Sequence, residues 1–570
     1  MKHKIWKLKP SPDAQKIFEL KTSLGVSKKI CALLLDRGID TFEKAKTFFR
    51  PQLSMLHDPF LMKDMDKAVS RLLSAMTSKE QIRVYGDYDV DGASSVSMMY
   101  LFLKSQGANV DYYIPDRDSE GYGISYEGID DAVDKGVTLM ISLDCGINAV
   151  EKVVYAKSKG VDFIICDHHR PGAILPDASA VLNPKRQDCA YPFKELCGCG
   201  VGFKLIQAYL KYQNLDASIA LQYLDLVAVA IGADIVPIIG ENRVLAFYGL
   251  KCLNESPRSG MKALIRDHKR FGEMTITDVV FTIAPRINAA GRMKHAHNAV
   301  SLLIEQNEEQ AVKKAKEIEE YNTERRSEDQ RIVKEALVHI KEQKEEESPS
   351  TVVYHPQWHK GVIGIVASRL IETYYRPTVV FTKSKDYLVA SARSVKGFDI
   401  FEALDECSSY IEQFGGHKYA AGLSIRQENY ELFKAAFDKA VSERITETQK
   451  TEVIEIDTEL DFSDITTGFN NVLKQFEPFG PENMPPLFVT KNVMDRGYSK
   501  TVGSENEHLK LHMCTEKEKL SEMKGIAFNM GRHSQYVSKG LTFDICYAIQ
   551  ENKWKGNVTI QLAVKDLKTL

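Results

Sequence analysis

From residue 81 the chain alternates short apolar runs with segments of helical spacing. QIRVYG (81–86), VDYYIP (110–115), VTLMISLD (137–144), DFIICD (162–167) and SAVLN (179–183) read as strands, short and rich in β-branched and aromatic residues. ASSVSMMYLFLKSQG (93–107), YEGIDDAVDKG (126–136) and INAVEKVVYAKSKG (147–160) read as helices, each closing on a glycine suited to a C-cap. Near-continuous apolar strands alternating with helices predict an α/β fold with a mostly parallel sheet covered on both faces. Residues 200–300 read as mainly helical, and 1–79 as an N-terminal helical region with apolar clusters such as Ile30–Leu35.

Further along, the charged stretch that begins EQNEEQAVKKAKEIEE keeps helical spacing at Ile332, Ala336 and Ile340, which predicts a long solvated helix. ESPS (347–350) ends it. A second, smaller α/β unit begins at TVVYH and runs over 351–446. The last stretch, 453–570, is strand-rich (VIEIDTEL, PLFVTKNV, HLKLHM, GIAFNMG, LTFDICYAI, NVTIQLAV) and suggests a small barrel. The expected organisation is therefore 1–79 helical, 80–300 α/β, 301–350 a connecting helix, 351–446 α/β and 453–570 barrel.

Composition narrows the classes. A chain of 570 residues with 44% hydrophobic and 27% charged residues is a folded protein of several domains. No apolar run reaches the length of a membrane span, and MKHKIWKLKP lacks the apolar core of a signal peptide. Ten scattered cysteines suit a reducing cytoplasm. A net charge of −3 excludes a global basic field, so a nucleic-acid partner needs local basic surface or metal ions.

The candidate chemistry lies where the strands end. Ligands of an open parallel sheet sit beyond the carboxyl ends of its strands. Three predicted strands carry acids there: Asp87, Asp89 and Asp91 in VYGDYDVDG, Asp144 in SLDCG, and Asp167 with His168 and His169. Asp234 follows a further apolar run in VAVAIGADIVP. A lone aspartate after a strand is ordinarily a turn or cap residue. Four clusters at one sheet edge point instead to a metal centre. Carboxylates with one or two imidazoles and no thiolate pattern suit Mn²⁺ or Mg²⁺, and two such ions would give a hydrolase. Cys197 and Cys199 in CGCG lack the second cysteine pair of a zinc site, so that loop reads as glycine-rich packing near the active site.

GDYDVDGASS, SLDCGI and CDHH, in this order, resemble the DHH phosphoesterase superfamily. YYIPDRDSEGYGIS (112–125), YPFKELCGCGVGFKL (191–205) and APRINAAGRM (284–293) resemble its RecJ family of single-stranded-DNA-specific exonucleases. WHKGVIGIVASRL (358–370), SARS (391–394) and GGHKYAAGL (415–423) resemble the accessory DHHA1 domain, and PFGPENMPPLF (478–488) the RecJ OB-fold. The fold implied is a parallel-sheet DHH domain joined by a long helix to a smaller α/β DHHA1 domain, plus a C-terminal OB-fold barrel.

By this resemblance Asp89, Asp91, Asp144, His168 and Asp234 match metal-binding positions. Asp87, Asp167 and His169 lie close by as ligand, orienter or acid/base. The family pattern GTVAD stands here as AIGAD, so Asp225 is the alternative to Asp234. Arg117, Ser391 and Arg393 match a 5′-phosphate pocket; Arg286, Asn288, Arg292 and His417 are further candidates for DNA contacts. Tyr498, Phe528 and Trp554 are candidates for stacking on bases.

The activity implied is 5′→3′ degradation of single-stranded DNA to nucleoside 5′-monophosphates with two Mn²⁺ or Mg²⁺ ions, in recombinational and mismatch DNA repair. The expected chain is a cytoplasmic monomer whose substrate carries a 5′ end, with single-strand-binding protein and a RecQ-type helicase as candidate partners. Competing readings are a phosphodiesterase for short oligonucleotides or cyclic dinucleotides and an inactive single-strand-binding replication accessory protein. The barrel and the long region before the sheet count against the first, and retention of every acid and both histidines against the second.

Overall fold

The computed structural model describes residues 4–117, 119–266, 272–515, 517, 521–554 and 557–569, with backbone only at 553 and 554. The chain divides into two compact units, Met1–Lys9 with Glu320–Ile456, and Pro10–Glu319 with Asp457–Leu570.

The larger unit holds a five-stranded sheet of β1 (Gln81–Gly86), β2 (Asn109–Tyr113), β3 (Val137–Leu143), β4 (Asp162–Cys166) and β5 (Ala180–Leu182). Its order is β2-β1-β3-β4-β5, and every pairing is parallel. β1, β3, β4 and β5 are buried on both faces, as their unbroken apolar runs require, while the edge strand β2 is only partly buried. One face is covered by α1 (Val90–Ser105) and the other by α2 (Tyr126–Asp134) and α3 (Val150–Ser158). Gly107, Gly136 and Gly160, which follow these three helices, all have positive φ. The helices α4 (Gly198–Tyr212) and α5 (Leu224–Ala233) pack beside α1, and α6 (Ala284–Met293) follows a π-helical turn at Val279–Ile283.

The long helix α7 (Glu308–Glu342) contains the point where the units divide, and Ile332, Ala336 and Ile340 are buried along it. In the smaller unit β6 (Thr351–Tyr354), β7 (Thr378–Ser384), β8 (Tyr387–Arg393), β9 (Gln413–His417) and β10 (Ala420–Ile425) form a mixed sheet, order β9-β10-β8-β7-β6, with α8 (Ile363–Thr373) packed on β7 and β8. Ile5–Leu8 is a strand paired in parallel with Val453–Ile456, so the first residues are extended where the sequence reads as helical. That pairing joins segments more than 400 residues apart, which local periodicity cannot report.

The last strands are β11 (Phe488–Asp495), β12 (Lys500–Val502), β13 (His508–Thr515), β14 (Met523–Ala527), β15 (Phe543–Trp554) and β16 (Asn557–Thr569). β11 pairs with β15 on one side and β13 on the other, so the ladder β11-β15-β16-β14-β13 closes on itself. Closure removes sheet edges. The barrel core is shared with the N-terminal helices: Leu20, Ile30, Leu33 and Leu34 pack in one cluster with Phe462, Phe476, Phe488 and Tyr547. Helix Gly240–Glu255 ties this assembly to the sheet half of the unit. Its buried Arg243 donates to the carbonyls of Phe48, Gln475, Phe476, Glu477 and Pro478.

Candidate metal centre and its surroundings

A strand order of 2-1-3-4-5 reverses direction between β1 and β3, which opens a crevice at the carboxyl ends of those two strands. The loop after β1 carries Asp87, Asp89 and Asp91; β3 ends at Asp144, β4 at Asp167, His168 and His169, and α5 at Asp234. Ligand atoms of Asp87, Asp89 and Asp144 lie within 4.8 Å of one another, as do those of Asp91, His168 and Asp234, and those of Asp144, His168 and His169. Asp144 and His168 each belong to two of these groups, so the groups form one continuous site.

Local chemistry holds each side chain in place. Asp89 caps α1, accepting from the Gly92 amide at 3.0 Å. The Asp91 carboxylate accepts from the amides of Gly198 (2.7 Å) and Cys199 (2.8 Å) at the start of α4, where the helix dipole favours negative charge. This close approach needs glycine: a Cβ on residue 198 would lie 2.5 Å from the Asp144 Cβ. Likewise a Cβ on residue 92 would lie 2.3 Å from the carbonyl oxygen of Asp87. Asp144 itself adopts φ +60°, a left-handed conformation unusual for a residue with a side chain. His168 Nε2 faces Asp144 Oδ1 at 3.2 Å, Asp234 Oδ2 at 3.5 Å and Asp91 Oδ2 at 4.0 Å.

Burial and mutual repulsion dominate the electrostatics of the cluster. Burial, then the charge of Asp89, pushes the Asp87 carboxyl up to about 8 and Asp91 up to about 7. Asp234 rises to about 8 through burial and then Asp91, and Asp144 is driven well above the carboxylate range by burial and then Asp91. Burial, with the neighbouring His169, lowers His168 to about 3 and keeps it neutral, the form that offers a lone pair. Asp87 Oδ1, Asp144 Oδ1 and His168 Nε2 are buried without a hydrogen-bond partner. A buried, converging set of carboxylate oxygens and a neutral imidazole nitrogen, all short of partners, fits hard-to-intermediate divalent cations.

Asp167 belongs to none of these groups. Its Oδ1 accepts from the amides of His168 (2.7 Å) and His169 (3.0 Å) and meets His169 Nδ1 at 2.8 Å, and its Oδ2 accepts from the Ile147 amide at 2.9 Å. Burial raises this carboxyl, but the His169 contacts and amide donors outweigh burial and hold it below the usual range. The His169 imidazole loses charge stability on burial, but Asp167 more than offsets this and lifts it to about 9. Its Nε2 lies 3.2 Å from the hydroxyl of Tyr122, which also points at the Asp144 carbonyl at 3.4 Å. Tyr122, on the loop after β2, is a site residue that sequence reasoning did not single out. Its signal was its place in the EGYG segment.

Asp225 is elsewhere: its carboxylate pairs with Arg258 at 2.6 and 2.7 Å, leaving Asp234 as the acid of this cluster. Arg117 lies over the Tyr88 ring, 5.2 Å from its centre, and Arg292 also acts on the Tyr88 hydroxyl. Asn288 is half-buried on α6, while Arg286 is engaged by Glu319 and the Thr282 carbonyl. In the smaller unit Arg393 donates to Ser391 Oγ at 2.8 Å, and both flank Gly364 in the first turn of α8. His417 is exposed on β9. Tyr498 and Phe528 are 73% and 59% exposed on the barrel, and the Trp554 side chain lies outside the described residues. Cys197 and Cys199 are buried free thiols in the first turn of α4.

The DHH family N-terminal domain matches residues 81–231, the DHHA1 domain residues 348–443 and the RecJ OB domain residues 456–566. The single-stranded-DNA-specific exonuclease RecJ of Bacillus subtilis (strain 168) is 36% identical over 97% of this chain and 70% of that protein. The chain belongs to the RecJ family. The crystal structure of RecJ in complex with Mn²⁺ from Thermus thermophilus is 26% identical, with a TM-score of 0.84 over 99% of this chain and 80% of that one. A second RecJ structure from the same organism, in complex with Mg²⁺, gives a TM-score of 0.79 at 24% identity, over 99% and 78% of the two chains. The α/β fold with a parallel DHH sheet, a DHHA1 domain and an OB barrel is thus the RecJ architecture, and the acidic cluster is a set of groups that could hold a metal ion. Among the described residues no helix is long and apolar enough to cross a membrane.

Proposed function

We propose that this chain is a metal-dependent exonuclease that shortens single-stranded DNA from a 5′ end, in the 5′→3′ direction, releasing nucleoside 5′-monophosphates. The observation that carries the reading is the convergence of five acids, three of them buried, and a neutral histidine at the sheet's switch point, in a chain of the RecJ family. Asp87, Asp89, Asp91, Asp144, His168 and Asp234 would hold two divalent ions, Mn²⁺ or Mg²⁺. Such ions make water nucleophilic at neutral pH and offset the charge of a phosphodiester.

The chain's own groups supply position. Asp167 fixes the His169 ring through Nδ1, and Tyr122 meets its other nitrogen, so the imidazole is held at one orientation beside the cluster. We assign Asp167, His168 and His169 to the catalytic step. Arg117, Asn288 and Arg292 in the larger unit, and Ser391, Arg393 and His417 in the smaller, are the groups we assign to substrate phosphates, since guanidinium and hydroxyl donors suit phosphate oxygens. Arg286, whose ion pair with Glu319 supports α6, serves that binding at one remove. The exposed rings of Tyr498 and Phe528 offer stacking surfaces for bases.

A cytoplasmic monomer acting in recombinational and mismatch repair, alongside single-strand-binding protein and a RecQ-type helicase, completes the reading. Incubation of 5′- and 3′-labelled single- and double-stranded oligonucleotides with Mn²⁺ tests it. Mononucleotide appears at once from the 5′ label of the single strand. Cleavage confined to oligomers of a few nucleotides, or binding without cleavage, overturns the proposal.

A further inference from the structure

Ile235 directly follows Asp234 and has φ +58°. Among the described non-glycine residues with positive φ it is the one β-branched side chain, for which the left-handed region is a true outlier. The same side chain is 62% exposed. Both features are unfavourable, and neither contributes to the core.

The backbone is anchored on both sides of Ile235. The Asp234 amide donates to Ala230 O at 2.9 Å and the Ile238 amide to Pro481 O at 2.8 Å, while Asn242 Nδ2 donates to Pro237 O at 3.0 Å. Val236 and Ile238, on either side of Pro237, are buried. The loop is held from both ends, and the exposed apolar side chain sits one residue after an acid of the candidate metal centre. Strain that the surroundings over-determine collects at ligand-handling sites.

We propose that Ile235 is a substrate-contacting residue whose side chain packs against the base of the nucleotide presented to Asp234, His168 and Asp91. Every base offers an apolar face, so one aliphatic contact serves any sequence. The inference rests on the nuclease reading above and adds a contact to it.

The test compares wild type with Ile235→Gly, Ile235→Asn and Ile235→Val, on 5′-phosphorylated oligo(dT) and on the same strand with abasic 5′-terminal residues, in Mn²⁺. Glycine and asparagine tolerate positive φ, so their melting temperatures stay level or rise. With the aliphatic surface gone, KM on oligo(dT) rises about 5-fold, the order expected for losing part of one buried side chain, with kcat within about 3-fold. Valine restores KM, Mn²⁺ affinity by titration is unchanged, and the KM gap closes on the abasic strand. An unchanged KM in the glycine variant overturns the contact, as does a parallel fall in Mn²⁺ affinity or a lowered melting temperature. If wild type itself releases no nucleotide, the nuclease reading fails and the contact with it; an active wild type with an indifferent glycine variant sinks the contact alone.

Discussion

Gly198→Ala is a one-atom perturbation aimed at the contact between α4 and the metal centre. The added Cβ would lie 2.5 Å from Asp144 Cβ, 2.7 Å from its Cα and 2.8 Å from its Oδ1. Carbon atoms pack at about 3.5–4.0 Å, so either the helix start or Asp144 must move by roughly 1 Å. Asp144 cannot swing away easily, since its amide is bound to Cys166 O at 2.9 Å and its φ is already left-handed. Overpacking costs about 1–3 kcal/mol, and a glycine-to-alanine change returns about 0.4–1 kcal/mol through the unfolded chain. The net loss of stability is therefore small, about 0–2.5 kcal/mol. A displacement of about 1 Å at a reacting centre, by contrast, costs about 100-fold in rate. The expected variant is folded by urea denaturation, binds Mn²⁺ at least about 10-fold more weakly by calorimetry, and loses about 100-fold in kcat on single-stranded DNA. A stable Gly198→Ala protein with wild-type Mn²⁺ affinity and rate would refute the close approach of α4 as what sets the Asp144 carboxylate.

Asp144→Ala should abolish hydrolysis while electrophoretic-mobility binding of single-stranded DNA stays within about 3-fold; residual activity means that the cluster does not hold the reacting phosphate. Carboxyls raised to about 8 (Asp87, Asp234) and about 7 (Asp91) keep protons that the unfolded chain sheds near pH 4. Stability without metal should therefore fall as pH rises from about 4 to 8, and the gain in melting temperature from Mn²⁺ should be larger at pH 8 than at pH 6. Equal gains in scanning fluorimetry at both pH values count against proton displacement by the metal. Arg393→Ala should erase most of the preference for a 5′-phosphate over a 5′-hydroxyl end without altering Mn²⁺ affinity, read from initial rates on the two substrates. Arg243→Ala leaves the carbonyls of Phe48, Gln475, Phe476, Glu477 and Pro478 short of their donor, a loss of about 3 kcal/mol or more by chemical denaturation. A change below about 1 kcal/mol would show that water replaces the guanidinium at no penalty.

Strand–helix alternation from residue 81 was legible because both periods are local: β1 to β5 and α1 to α3 lie where the apolar pattern sets them. The acids were legible because they end strands or, for Asp234, an apolar helix. Asp167 could be read as an orienter from its place before two histidines, but the partners of its two oxygens could not. Tyr122 was hidden because nothing in EGYG says that its hydroxyl meets His169, 47 residues away. The engagement of Arg286 by Glu319 was equally out of reach, since the two lie 33 residues apart.

By itself the sequence determined which residues carry charge, which runs must be buried and which motifs mark the DHH, DHHA1 and OB segments. Only the tertiary structure decided that strand order 2-1-3-4-5 opens the crevice between β1 and β3, and so brings Asp87, Asp89 and Asp144 within one ion's reach. It alone joined the N-terminal helices to the barrel core, paired Ile5–Leu8 with Val453–Ile456, and placed Asp234 in the acidic cluster while pairing Asp225 with Arg258. The physical reason is the same in each case. Periodicity and composition report on neighbours a few residues apart, whereas burial, desolvation and the convergence of like charges depend on which distant surfaces the fold presses together.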